Sequence, residues 1–94
     1  MIKLKNQIIN SIYTVTSNLS YPKKECSLAP PKNTDFGDLC SNIALLLAKD
    51  LKKPPLEIAN DIVGELNNIS SEHINSISVT KPGFINFKIE DHYF

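Results

Sequence analysis

Two adjacent prolines, Pro54 and Pro55, stand between two runs of apolar residues spaced for helices, and this junction restricts the fold more than any other stretch. Upstream, Leu39, Ile43, Leu46, Leu47 and Leu51 share one face of a helix predicted from Asp38 to about Lys52. Downstream, Ile58, Ile62 and Leu66, with Ala59 and Val63 beside them, mark a second buried stripe. Proline cannot continue the first helix but suits the first position of the second, and Glu57 adds negative charge to that first turn. The two helices are therefore expected to form a corner or a helical hairpin. Asp38, or Asp35 one turn earlier, is expected to cap the first helix, while Lys49, Lys52 and Lys53 occupy its last turn, where the helix dipole favours cations. Asn67-Asn68 supplies the exit from the second helix.

The rest of the chain adds one helix and a small sheet. Leu4, Ile8, Ile12, Val15 and Leu19 recur at intervals of four and three, giving a leading amphipathic helix that Pro22 ends. Glu25 to Ala29, between prolines, reads as a brief edge strand, and Lys32 to Gly37 as a loop carrying Phe36. After a polar linker from Ser70 to His73, Ile74 to Thr80 reads as a strand with Ile77 and Val79 inward. Pro82-Gly83 turns the chain, and a second strand returns antiparallel to the first. With 94 residues, 41% of them hydrophobic, the chain suffices for one domain over residues 1–94. The class predicted is α+β: two layers, with a small antiparallel sheet packed against three helices.

The last strand separates its side chains sharply. Ile85, Phe87 and Ile89 form a core face, whereas Phe84, Asn86 and Lys88 lie on the opposite face, expected to be solvated. An aromatic ring, a carboxamide and an ammonium side by side match the needs of an unstacked nucleic-acid base: a surface to stack on, a donor and acceptor for its edge, and a cation for the phosphate. Composition limits the scale of any such contact, because ten basic residues balance ten acidic ones. All ten are lysines, so arginine, the residue best suited to bidentate phosphate or guanine recognition, is missing. Any contact with RNA is local.

Chemistry beyond binding has no support in the sequence. Cys26 and Cys40 lack CxxC spacing and read as ordinary reduced thiols. His73 and His92 stand apart from each other and from any carboxylate pair at metal spacing, so no metal site and no general base are assigned. No nucleophile, acid and base combine into a catalytic set. A signal-peptide core and a membrane span are also missing, and a soluble cytoplasmic chain is expected.

Several segments, taken together, resemble the N-terminal domain of arginyl-tRNA synthetases. They are Phe36-Gly37-Asp38, Ser41-Asn42-Ile43-Ala44, Leu47-Ala48-Lys49, Pro55-Leu56-Glu57-Ile58-Ala59 and Pro82-Gly83-Phe84-Ile85-Asn86-Phe87, in that order and spacing over roughly residues 28 to 90. The resemblance implies a domain that leans on the outer corner of arginine tRNA and contacts its D-loop. In the family, the aromatic and amide residues of the Pro-Gly-Phe-Ile-Asn strand meet an unstacked D-loop base, and they fall here on Phe84 and Asn86. The catalytic motifs of the synthetase, of His-Ile-Gly-His and Lys-Met-Ser-Lys-Ser type, do not occur, and the chain has no room for the catalytic or anticodon-binding domains. The expectation is a single domain separated from a larger class I synthetase, starting at the native methionine and non-catalytic alone. The parent would attach arginine to its tRNA with ATP and magnesium; the fragment itself needs no cofactor and is expected to be monomeric.

The RNA-binding residues expected are Phe84, Asn86, Lys88 and Lys81. Phe84 is the stacking platform, a contact worth about 1–3 kcal/mol per base. Asn86 pairs with a base edge without carrying charge. Lys81 and Lys88 either meet phosphate oxygens or are plain surface lysines. Asn42 either braces its loop or touches the RNA backbone, and the Lys49, Lys52 and Lys53 cluster is a solvated helix end before it is a phosphate contact. The alternative function is a protein–protein interaction module with no RNA role, anchored by Phe84 and Phe36.

Overall fold

A computed structural model describes residues 2–31, 34–69 and 73–90. The chain opens with α1 (Ile2–Asn18), whose stripe of Leu4, Ile8, Ile12 and Val15 is buried. Ser20, in the left-handed region at φ 62°, reverses the chain, and the Tyr21 N–H closes the helix end on the Thr16 carbonyl at 2.9 Å. An extended segment follows and buries Cys26 and Leu28. The Tyr13 hydroxyl accepts the Cys26 N–H at 3.0 Å, and Lys24 pairs with Asp50 at 2.5 Å, so the segment is tied to two helices.

The expected edge strand over Glu25 to Ala29 is reduced to a single bridge. Ala29 and Cys40 exchange backbone hydrogen bonds at 2.7 and 3.1 Å. A 3-10 turn, Thr34–Phe36, precedes β1 (Leu39–Ser41), α2 (Ile43–Leu51), α3 (Pro55–Leu66), β2 (Ile74–Thr80) and β3 (Phe84–Ile89). The helix predicted to begin at Asp38 begins five residues later. Leu39–Ser41 is a strand instead, pairing antiparallel with β3 in the register Leu39 with Phe87, Cys40 with Asn86 and Ser41 with Ile85. The cause is the ladder offered by β3, which pairs all three residues, although Leu39 also fits the helix stripe with Ile43.

The capping expected of Asp38 is corrected in the same place. Its carboxylate accepts the Ile89 N–H at 2.8 Å, and its own N–H donates to the Phe87 carbonyl at 2.9 Å. Asp38 therefore fastens β3, not α2. Asn42 precedes α2 without a side-chain cap, and the Ser41 hydroxyl accepts the Ile43 N–H at 3.1 Å. At the other end, Lys52 adopts a left-handed conformation, φ 53°, with its N–H on the Ala48 carbonyl.

The sheet order is β1-β3-β2, all antiparallel, so β3 is the central strand. Its inward residues Ile85, Phe87 and Ile89 are buried, and α2 and α3 pack beneath them, while α1 rests on α3. This is the α+β arrangement expected, with three helices and a three-stranded antiparallel sheet. Pro54 and Pro55 do form the corner: Pro55 is the first residue of α3, and the Glu57 and Ile58 N–H groups both reach the Pro54 carbonyl. Gly83 fits the hairpin turn against this corner, since a β-carbon there would lie 2.7 Å from that of Pro55. Among the described residues no helix is long and apolar enough to cross a membrane.

Candidate nucleic-acid interface

The outward residues of β3 do not face open solvent uniformly, because the segment before β1 lies over one end of the sheet. Cys40, Asn86 and Ser78 lie in one row across the three strands, with Thr80 and Phe84 paired in the next. Pro30 and Pro31 follow the bridge residue Ala29 and overhang this end of the sheet together with Phe36. The result is a groove of about 390 Å³. The sheet contributes Cys40, Asn86, Thr80 and Phe84; the segment before β1 contributes Pro30, Pro31 and Phe36; Lys81 stands at the turn.

Asn86 departs most from the solvated face anticipated for it. Only 1% of its surface is exposed, because the overhanging segment closes over the sheet there. Its Nδ2 donates to the Thr80 hydroxyl at 3.0 Å. Phe84 is half-buried and Lys81 exposed, both on the groove. Lys88 is exposed but does not line the groove; its Nζ lies 4.0 Å from Asp38 Oδ2. Thus the structure brings Phe84, Asn86 and Lys81 together and leaves Lys88 outside.

Of the other lining residues, Phe36 was expected beside Phe84 only in the protein-interaction alternative, and Pro30, Pro31, Cys40 and Thr80 were not expected on this face. Phe36, 48% exposed, is the exposed large hydrophobic residue among those described, and it stands over the same groove as Phe84. Cys40 was hidden by its assignment to a helix. Thr80 was recoverable in principle, because a three-residue turn at Lys81-Pro82-Gly83 sets it opposite Phe84. Burial pushes the Cys40 thiol above its ordinary pKa of 9.0, so it faces the groove as a neutral group. The Cys26 thiol is also pushed up by burial, against a smaller opposing effect of its hydrogen bond with Ser41. Among the described residues no group of three or more His, Cys, Asp or Glu can hold a metal ion.

The other lysines lie on the helical side. Lys49, Lys52 and Lys53 are exposed at the end of α2 and beyond it, with the Lys53 Nζ 5.9 Å from the centre of the Tyr21 ring. Lys23 is similarly placed over Tyr13, at 4.8 Å.

A family model described as the arginyl tRNA synthetase N terminal domain matches residues 3–89. The chain belongs to this family. An arginine–tRNA ligase of Nitratidesulfovibrio vulgaris is 37% identical over 87 residues, covering 90% of this chain and 15% of the relative. One from Ehrlichia chaffeensis is 52% identical over 59 residues, 63% of this chain and 10% of the relative. The domain therefore spans only a small part of the length of these curated relatives. Arginyl-tRNA synthetase of Thermus thermophilus has the same fold, with a TM-score of 0.81 and 22% identity over 95% of this chain and 14% of that one. The Plasmodium falciparum enzyme superposes with a TM-score of 0.77 at 17% identity, covering 95% of this chain and 16% of its own.

Proposed function

We propose that this domain binds arginine tRNA by taking an unstacked D-loop base into the groove between Phe84 and Phe36. The observation that carries the proposal is the groove itself, where an aromatic ring, a carboxamide and a lysine converge on one opening. Phe84 supplies the stacking surface, Lys81 attracts the adjoining phosphate, and Asn86 meets the base edge from the floor once the segment that encloses it gives way. Lys88 lies farther along the strand and meets the backbone of a neighbouring nucleotide. The domain acts as a positioning element for a cytoplasmic synthetase that joins arginine to its tRNA with ATP and magnesium. Its partners are that tRNA and the remainder of the synthetase.

Zero net charge leaves little gain from counterion release, so the domain alone binds weakly and serves as one contact among several. The test is an NMR titration of the 15N-labelled chain with an arginine tRNA transcript and with the same transcript altered in the D-loop. Shifts at Phe84, Asn86 and Lys81 that disappear with the altered transcript are expected. Equal responses to the two transcripts would discard the groove as a D-loop site.

A further inference from the structure

Three polar side chains are buried among the described residues: Thr16, Ser41 and Asn86. The first two serve local backbone, Thr16 by donating to the Tyr13 carbonyl and Ser41 by accepting the Ile43 N–H at the start of α2. Asn86 is different. Its hydrogen bond runs diagonally across the hairpin to Thr80, which stands opposite Phe84, while its own register partner on β2 is Ser78. Its Oδ1 takes no hydrogen bond among the described residues, and none of their fully enclosed side-chain nitrogens or oxygens lacks a partner. Asn86 lines the groove, and the oxygen is the carboxamide atom that no neighbour among the described residues engages.

We infer that Thr80 is a positioning residue for RNA recognition, its hydroxyl fixing the Asn86 carboxamide so that its free polar edge faces the incoming base. This inference rests on the groove being the site where the base enters. The terminal torsion of asparagine is broad and roughly two-fold, so an unheld carboxamide samples many planes. Pairing with a base edge requires one plane, with donor and acceptor presented together. The Thr80 hydroxyl takes an Nδ2 hydrogen at 3.0 Å. That restriction precedes binding, and holding a group in its bound geometry lowers the ordering cost of association. The same residue sits beside Phe84 in the strand register, so carboxamide and ring are referenced to one point of the hairpin.

Thr80→Val removes the hydroxyl while keeping a β-branched strand residue, and Thr80→Ser keeps the hydroxyl. Both chains are first matched to wild type by circular dichroism. The binding readout is the ratio of affinities for the arginine tRNA transcript and for the D-loop-altered transcript. A second readout, without RNA, is hydrogen exchange at the Asn86 side-chain amide. Loss of one neutral hydrogen bond implies a ratio reduced about 2- to 10-fold in Thr80→Val, with faster exchange, and near-wild-type values in Thr80→Ser. A Thr80→Val chain that keeps both the ratio and the slow exchange overturns the role of Thr80 and leaves the groove reading intact. A wild-type chain that does not distinguish the transcripts overturns the groove reading and this inference with it.

Discussion

Asp38 shows how one side chain can be misplaced by its neighbours in sequence yet be essential to the strand that carries the site. Preceding a leucine-rich stripe, it has the position of a helix cap, but its carboxylate accepts the Ile89 N–H at 2.8 Å. Asp38→Ala leaves that N–H without an acceptor and is expected to lower unfolding free energy by about 1–3 kcal/mol, whereas Asp38→Asn, retaining an oxygen, costs less. Urea denaturation of the two variants tests this; equal losses would mean that the oxygen is not what matters. The thiols make a second residue-scale prediction. The folded chain holds the Cys26 and Cys40 protons above the ordinary 9.0, so it binds protons more tightly than the unfolded chain. Their contribution to stability is therefore complete below pH 9.0 and is lost as pH rises through the raised folded values. Tyr21 shifts in the same direction, through burial first and then the charge and hydrogen bond of Asp61, so a Cys26→Ala/Cys40→Ala chain is the needed comparison. Its unfolding midpoint should fall less steeply above pH 9 than that of wild type, and identical profiles would remove the thiols from the account. The sequence revealed the identity of the outward residues Phe84, Asn86 and Lys88 through their alternation. It could not reveal that Asn86 is enclosed, because Pro30, Pro31 and Phe36 come from more than forty positions away to cover it.

At the scale of elements, the long periodic segments were legible and the short one was not. α1, α3 and the two hairpin strands each carry enough turns or alternations for their period to show. Leu39–Ser41 has three residues, too few for a period, and Leu39 and Ile43 also stand four apart as in a helix. Only pairing with β3 decides between the two, and that pairing lies outside any local window. The Pro54-Pro55 corner, by contrast, was written locally, and it now has a second duty as the surface on which the hairpin turn sits. A β-carbon at Gly83 would meet the Pro55 β-carbon at 2.7 Å and its carbonyl carbon at 3.0 Å, neither of which is a flexible side-chain end. Gly83→Ala must separate the turn from α3, at an expected cost of about 1–3 kcal/mol by analogy with overpacked cores. A lowered Tm accompanied by chemical-shift changes from Pro55 to Ile58 is the predicted outcome. An unchanged Tm would show that the contact yields freely and that the corner does not hold the turn.

For the whole molecule, the electrostatics limit the RNA contact proposed for this domain. Ten lysines against ten carboxylates leave no general field to draw RNA, so attraction depends on where single lysines stand and whether they are already paired. Lys81 lies on the groove, and Lys88 lies 4.0 Å from Asp38. A phosphate approaching Lys88 competes with that carboxylate, while one approaching Lys81 meets an exposed ammonium. The two lysines should therefore separate in a salt titration. Each phosphate contact adds about 0.7 to 0.9 to the slope of log affinity against log salt, so Lys81→Ala should flatten the slope by about that amount and Lys88→Ala by less. Neither substitution should change the preference for the unaltered D-loop, since phosphate contacts position a nucleic acid without reading its bases. If Lys88→Ala flattened the slope more, the stronger phosphate contact would lie beside Asp38 and not at the hairpin turn. A binding partner whose affinity is indifferent to salt would instead be held by the exposed ring of Phe36 and its surroundings, which is the behaviour of an apolar protein interface.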